Sequence, residues 1–130
     1  MSISVVDTSA WIDFLRGERS AVARVDRLLD DGAVAFVGPI RAEVLSGART
    51  SAEFARLRRL FDGLVGIADP PSMWERVAEY RFALARGGNQ VEVIDIAIAV
   101  TTFAGGCRLL TRDRDFEAIR TVVPIELDLF

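Results

Sequence analysis

Residues 3–15, ISVVDTSAWIDFL, decide the fold expected of this chain. Ile3 to Val6 form a largely β-branched run, which predicts a strand. Thr8 and Ser9 are favourable helix-capping residues, and the apolar residues from Trp11 to Leu15 recur at helical spacing. The segment therefore predicts a strand that passes directly into a helix.

The same alternation of strand and helix continues along the chain. Further strands are predicted at residues 33–37, 64–67, 108–110 and 121–125, the last of them at the sheet edge. Further helices are predicted at residues 20–29, from Gly38-Pro39 onward, across 54–61, and at 73–85, 94–104 and 113–119. Strands separated by helices pair in parallel through right-handed crossovers. We therefore expect one α/β domain over residues 1–130, an α/β/α sandwich with a central parallel sheet of about four to five strands.

The composition excludes several classes of chemistry. The chain has no histidine and no lysine, so all 16 basic residues are arginine. Without histidine there is no Ser-His-Asp or Cys-His nucleophile and no His-ligated zinc, and without lysine there is no P-loop or Schiff base. The one cysteine, Cys107, lies in apolar, strand-like surroundings typical of a buried structural thiol. Carboxylates remain as the acids, bases or metal ligands.

The charge of the chain gives only weak information about nucleic acid. The net charge of −3 argues against phosphate binding, which normally uses an excess of basic residues. Arginines nevertheless crowd into residues 16–27 and 41–59, so basic surfaces can coexist with an acidic pocket. An ordinary solvated helix face explains any single one of these arginines.

The sequence indicates a cytoplasmic protein without membrane association. The N-terminus lacks the basic start, apolar core and cleavage site of a secretory signal. Asp95 interrupts the most apolar segment, residues 91–100, which is in any case far shorter than the ~20 residues that cross a bilayer.

Acidic residues follow two of the predicted strands. Asp7 comes directly after the first strand, and Asp113 follows the strand at 108–110 by way of Thr111. Glu43 and Asp95 lie near the N-terminal ends of predicted helices, where a parallel fold returns to the same edge. Because ligands bind outside the carboxyl ends of parallel strands, we expect these four acids to converge there.

Each acid also has an ordinary structural explanation. Asp7 fits a solvated turn, Asp95 and Asp113 fit helix N-caps, and Glu43 fits a first-turn acid. The surroundings of Asp95 favour a functional role. Its apolar neighbours in VIDIAIAV predict partial burial, where an unpaired carboxylate is costly in free energy. Two carboxylates about 5 Å apart repel by roughly 3 kcal/mol at an effective dielectric of about 20, so a cluster must bind protons or cations. All-oxygen ligation selects Mg²⁺ or Mn²⁺, and such ions activate water against phosphodiesters.

Four segments resemble the acidic motifs of PIN-domain ribonucleases, in particular the VapC toxins of bacterial toxin–antitoxin systems. They are VVDTSAWI around Asp7, RAEVLSG around Glu43, VIDIAIA around Asp95, and LTRDRDF around Asp113 and Asp115. Their order and spacing agree with that family over nearly the whole chain. The resemblance implies that the first four acids are catalytic and bind metal, and that Asp115 is an additional metal ligand.

Several roles stay open at this point. Asp115 has the alternatives of capping the short helix or pairing with Arg112 or Arg114. By the same resemblance Thr8, Ser9 and Thr111 shape the pocket, with helix caps and turn residues as equal alternatives. An aromatic stripe at helical spacing is typical of plain core, so Trp11, Phe14 and Leu15 line either the core or a groove.

The resemblance also implies an activity and partners. It implies a Mg²⁺- or Mn²⁺-dependent endoribonuclease that cuts a structured RNA such as tRNA or rRNA. It further implies a VapB-like antitoxin whose C-terminal segment lies in a groove near the first helices, and a homodimer or a toxin–antitoxin hetero-oligomer.

Three other functions compete with this one. A phosphoacceptor receiver domain needs a lysine near its acids, and the chain has none. A non-catalytic PIN-like module that binds RNA or protein would be expected to lose acids, whereas all four are present. The same metal chemistry permits a DNA nuclease, and we identify no residue that reads the RNA 2′-hydroxyl.

Overall fold

The five strands of the structure form one parallel sheet. The computed structural model of the chain describes residues 2–130. Its strands are β1 (Ser4–Val6), β2 (Val34–Val37), β3 (Val65–Ile67), β4 (Arg108–Thr111) and β5 (Glu126–Leu129). They pair in the order β3-β2-β1-β4-β5. The central strand is β1, in which Val5 lies opposite Ala35 on one side and Leu109 on the other.

Helices connect the strands and cover the sheet. They are α1 (Thr8–Leu15), α2 (Arg19–Asp30), α3 (Gly38–Ser46), α4 (Ser51–Asp62), α5 (Met73–Arg86), α6 (Val93–Ala104) and α7 (Asp115–Ile119). Right-handed crossovers place α1–α4 on one face of the sheet and α5–α7 on the other. The predicted α/β/α sandwich with a parallel sheet is confirmed. Among residues 2–130, no helix is both long enough and apolar enough to cross a bilayer.

Glycines end two of the helices that lead into the sheet. Gly32, after α2, has φ +64°, and Gly106, after α6, has φ +68°. This left-handed conformation costs glycine little and commonly closes a helix. The sequence places glycine where the chain turns from α2 into β2 and from α6 into β4.

The core lies between the sheet and its two helical layers. α6 is buried on every side from Ile96 to Thr102, which explains the continuous apolar run from Ile96 to Val100. Trp11 is 0% exposed, and its ring centroid lies 5.3 Å from that of Phe61. Of the two predicted roles, packing in the core or lining a groove, Trp11 therefore has the first. Cys107 is buried as predicted, and burial raises the pKa of its thiol.

The prediction for the last strand was wrong in position. β5 covers Glu126–Leu129 instead of residues 121–125, although it does lie at the sheet edge and pairs only with β4. Thr121 and Val122 continue the turn after α7, since their N–H groups bind the carbonyls of Ala118 and Ile119 at 3.1 and 3.0 Å. Pro124 has no N–H to donate to a ladder, so pairing begins after it.

Candidate metal centre

Three carboxylates meet at the carboxyl edge of the sheet. Asp95 lies in the first turn of α6, Asp113 follows β4, and Asp115 begins α7. One oxygen of each lies within 4.8 Å of the others. Three carboxylate oxygens without nitrogen or sulfur form the ligand set that suits a hard divalent cation.

The electrostatics of Asp95 fit a cation at this position. Burial, followed by the negative charges of Asp113, Asp7, Glu43 and Asp115 in that order, raises the pKa of Asp95 to about 7. The carboxyl therefore holds a proton near neutrality where no cation replaces it. The charges of the other four predicted acids all act on Asp95, which is the electrostatic situation that a bound cation relieves.

Asp7 lies beside this group and is held by two hydroxyls. It is only 5% exposed at the end of β1. Its Oδ2 accepts hydrogen bonds from Thr111 Oγ1 at 2.7 Å and from Ser9 Oγ at 3.0 Å. Burial raises the pKa of Asp7, and these two bonds oppose that rise. Asp7 is thus a buried and oriented carboxylate, not a solvated turn acid.

The Thr111 hydroxyl links the first strand to the turn between β4 and α7. It donates to Asp7 and accepts from the backbone N–H of Asp113 at 2.9 Å. Ser9 Oγ accepts from the N–H of Arg112 at 3.1 Å. Asp113 Oδ1 in turn accepts from the N–H of Asp115 at 2.9 Å. The hydroxyls of Ser9 and Thr111 therefore shape the acidic site.

Glu43 lies at the rim of the site, and its predicted position in the helix was wrong. α3 begins at Gly38, so Glu43 falls beyond the first turn, and no acidic residue occupies that turn. Its side chain is exposed, and its Oε1 accepts a hydrogen bond from Thr8 Oγ1 at 2.9 Å. Glu43 is outside the three-oxygen group, although its charge raises the pKa of Asp95.

The ordinary explanations considered for the other acids hold only in part. Asp113 Oδ1 binds the N–H of Asp115, the first residue of α7, as a capping side chain would. The residues at the N-cap positions of α6 and α7 are Glu92 and Arg114, not Asp95 or Asp113. Among residues 2–130, Asp115 forms no ion pair with Arg112 or Arg114, and Arg114 pairs with Glu117 at 3.4 Å.

Arg112 pairs with acids that the sequence analysis missed. Its Nε lies 2.6 Å from Asp13 Oδ2, and its Nη2 contacts Glu18. Glu18 also accepts from the N–H groups of Ser20 and Ala21, both at 3.0 Å, and these bonds, together with Arg112, hold the pKa of Glu18 low. Asp13 and Glu18 lie more than ninety residues from Arg112, so no local pattern reveals the contact. It ties the turn that carries Asp113 to α1 and α2.

Comparison with known proteins gives consistent matches. The family model described as the PIN domain matches residues 4–122. Ribonuclease VapC11 of Mycobacterium tuberculosis is 33% identical over 131 residues, covering 97% of this chain and 98% of that protein. Ribonuclease VapC6 of the same species is 33% identical over 95 residues, covering 71% of this chain and 75% of that protein.

Solved structures share the fold. The crystal structure of VapBC2 from Rickettsia felis, bound to a promoter DNA fragment, matches with a TM-score of 0.77 at 17% identity, covering 98% of both chains. A toxin–antitoxin complex from Klebsiella pneumoniae matches with a TM-score of 0.71 at 24% identity, covering 95% of this chain and 98% of that one.

Proposed function

Because the chain belongs to the PIN-domain family, we propose that it is a Mg²⁺- or Mn²⁺-dependent endoribonuclease, the toxin of a VapBC-type toxin–antitoxin system. Its substrate is a structured RNA such as tRNA or rRNA. The observation that carries the proposal is the group of Asp95, Asp113 and Asp115, whose oxygens lie within 4.8 Å of one another. The 33% identity to a ribonuclease over nearly the whole chain supports the reaction class.

We assign the roles of the acids as follows. Asp7, Glu43, Asp95 and Asp113 are catalytic and bind metal, and Asp115 is a further ligand. A divalent cation bound by these carboxylates supplies Lewis-acid stabilisation of the phosphate and activation of water. The hydroxyls of Thr111 and Ser9 both bind Oδ2 of Asp7 and so fix the orientation of that carboxylate. Without a cation the same acids repel a phosphate, so RNA binding at the cut position depends on metal.

Cleavage of total RNA by the purified, antitoxin-free protein tests the proposal. We expect discrete products with Mg²⁺ or Mn²⁺ and none with EDTA. Asp95→Asn and Asp7→Asn, which keep shape and remove charge, should lower cleavage by at least about 100-fold, in the range seen when one preorganised catalytic group is lost. Glu79→Gln is the matched control, because Glu79 is exposed on α5 and has no ion pair among residues 2–130.

Two results would overturn the assignment. Full cleavage by Asp95→Asn would exclude the acidic site as the catalytic centre. No cleavage by folded wild-type protein under any metal would favour a non-catalytic module that binds RNA or protein.

We also propose where the antitoxin binds. A cavity of about 450 Å³ lies between α1, α3 and α4. Its apolar lining is Ile12, Leu15, Val44 and Leu57, and its charged lining is Arg16, Glu43, Arg49 and Glu53. Because Glu43 belongs to both this cavity and the acidic site, a C-terminal antitoxin segment bound there would lie against the catalytic acids. A homodimer or a toxin–antitoxin hetero-oligomer is the assembly that we expect, and light scattering of the purified protein and complex measures it.

A further inference from the structure

A second cavity, of about 620 Å³, lies between α2 and the strands β4 and β5. Its lining includes Arg24, Arg27, Leu28, Arg108, Leu110 and Asp128. The cavity is separate from the acidic site and from the cavity next to Glu43, with which it shares no lining residue. We call it the α2 groove.

The α2 groove leads to the acidic site. Side chains two residues apart on a strand share a face, so Arg108 and Leu110 lie on the same face as Arg112. α2 runs from the carboxyl edge of the sheet to the opposite edge, because it returns the chain from β1 to β2. Near its start Glu18 contacts Arg112, and near its end Arg27 lines the groove together with Arg108. Ser20, which also lines the groove, donates its N–H to Glu18, so this end of the groove is one residue contact away from Arg112, the residue before Asp113.

The α2 groove is positively charged in a protein whose net charge is −3. Three arginines line it, and Asp128 is the one acid among its lining residues. Arg24 and Arg27 form no ion pair with any part of the chain that the structure describes, and Arg108 has only the long 3.7 Å contact to Glu126. A concave surface with unpaired guanidinium groups attracts a polyanion and concentrates its charge.

Phe130 connects the groove to the acidic site. The guanidinium carbon of Arg24 lies 4.9 Å from the centre of its ring, and that of Arg112 lies 4.3 Å from the same centre. Through these cation–π contacts Arg24, which lines the groove, shares the Phe130 ring with Arg112, the residue before Asp113. Since Arg24 and Arg112 already occupy the ring, it is a poor stacking platform for bases. The groove is thus suited to the phosphates of a strand and not to its base edges.

We propose that the α2 groove binds the sugar–phosphate backbone of the RNA strand that is cut at the acidic site, through Arg24 and Arg27. The inference rests on the proposed ribonuclease function and adds the path of the substrate. Contacts of this kind hold the strand without reading its sequence. Selection of a particular RNA must therefore arise elsewhere on the protein.

The salt dependence of RNA binding tests this inference. The dissociation constant for a fluorescent oligouridylate, which has no base-paired structure, is measured by anisotropy in EDTA over a KCl series. The proteins are the wild type, the double variant Arg24→Gln/Arg27→Gln, and the control Arg58→Gln/Arg59→Gln. The control removes the same charge from the exposed surface of α4, at the other edge of the sheet.

Two lost phosphate contacts should reduce the slope of log affinity against log salt by about 1.4, since each contact on a single strand contributes about 0.7. Between about 50 and 200 mM KCl the wild type should then lose about sevenfold more affinity than the groove variant. The control should keep the wild-type slope. Matching circular dichroism spectra and melting temperatures show that all three proteins are folded.

Equal slopes of log affinity against log salt for the groove variant and the control would overturn the inference. This is the result expected if the groove binds an acidic protein segment instead of RNA. Undetectable oligouridylate binding by the wild type at the lowest salt would also overturn it. Binding in EDTA requires no catalysis, so a reduced slope in a protein that cuts no RNA supports the groove while refuting the nuclease. If the protein cuts RNA but the groove variant and the control have equal slopes, the nuclease is supported and the groove is refuted.

Discussion

At the scale of single residues, Thr111 uses its one hydroxyl twice. The side chain is fully buried, donates to Asp7 and accepts from the N–H of Asp113. The bond to Asp7 lowers the pKa of that carboxyl against the effect of burial. Thr111 therefore helps to keep Asp7 ionised in surroundings that favour the neutral acid.

Replacing Thr111 by valine should reveal this double role. Thr111→Val removes one of the two hydroxyl partners of the Asp7 carboxylate and leaves the Asp113 N–H without its partner, so we expect the free energy of unfolding to fall by about 2 kcal/mol. Thr111→Ser keeps the hydroxyl and loses one buried methyl group, so it should cost about 1 kcal/mol. Urea unfolding at neutral pH measures both values. A valine variant as stable as the serine variant would contradict the role of the hydroxyl.

Single residues also show which contacts can be predicted from the sequence and which cannot. The positions of Asp7 and Asp113 follow from topology alone, because each comes after a strand whose carboxyl end must meet the same edge. The partners of Arg112 do not follow from it, since Asp13 and Glu18 reach it only after β1 and β4 have paired. Ion pairs between segments so distant leave no local pattern.

At the scale of elements, α1 has two different apolar sides. Trp11 is inside the core, whereas Ile12 is 39% exposed, Leu15 is 46% exposed, and both line the cavity next to Glu43. Leu15 therefore belongs to a groove, and Phe14, half-buried with its ring 5.8 Å from that of Trp11, packs against the core. Helical spacing predicts the stripe but not which of its members remain uncovered.

The exposed side of α1 should matter for the antitoxin more than for folding. Leu15→Glu should change the free energy of unfolding by less than about 0.5 kcal/mol, as expected of an exposed position. It should weaken binding of the VapB-like antitoxin at least about tenfold, because burying a leucine side chain contributes about 1.5–3 kcal/mol. Isothermal titration calorimetry measures the affinity. Phe103→Glu, at a position 43% exposed near the end of α6 and outside the cavity, is the control. If the two variants bind equally well, the antitoxin lies elsewhere.

The edge strand shows why one element was misplaced. The predicted segment at 121–125 is apolar because Val123 and Ile125 are buried from a turn, not from a strand. The actual strand, Glu126–Leu129, alternates acidic and apolar residues at the rim of the sheet and has no continuous apolar run. The strands β1 and β4 at the centre are buried, and there the apolar run does indicate the strand.

At the scale of the whole molecule, the acidic site is a source of instability. Its carboxylates come from the end of β1, from α3 and α6, and from the turn after β4 and the start of α7, and their like charges repel. Burial first, and the charges of the other acids second, raise the pKa of Asp95 from 3.8 to about 7. Folding brings these negative charges together and so lowers the stability of the folded state. A bound cation would neutralise the repulsion and raise that stability.

This arrangement predicts a pH dependence of the metal-free protein. Between about pH 4 and pH 7 folded Asp95 keeps a proton that the unfolded chain releases, so its contribution to stability is complete below about pH 4 and is lost as the pH rises through 7. Allowing for solvent screening, we expect a loss of about 1–2 kcal/mol by about pH 8 that Asp95→Asn does not show. Urea unfolding in EDTA at about pH 5.5 and pH 8 gives the difference.

Two additions complete that measurement. Mg²⁺ or Mn²⁺ should restore stability at about pH 8 in the wild type, because a ligand that binds only the folded state stabilises it. Glu79→Gln should keep the wild-type dependence on both pH and metal. A wild type and an Asp95→Asn variant with the same pH profile would show that the acids do not repel one another as described.

The position of β1 at the centre of the sheet has a consequence for protein synthesis. Ser4 pairs with Val34 on one side but with Arg108 on the other, so one side of the central strand stays unpaired until residues far along the chain from β2 have been made. Such long-range pairing forms slowly and late. The acid from β1 meets those from the turn after β4 only when that strand has been inserted. A nascent chain that lacks β4 and the turn after it consequently has no complete set of acids, and the ribosome that makes this protein is not exposed to its proposed activity until Asp113 and Asp115 have been added and β4 has paired with β1.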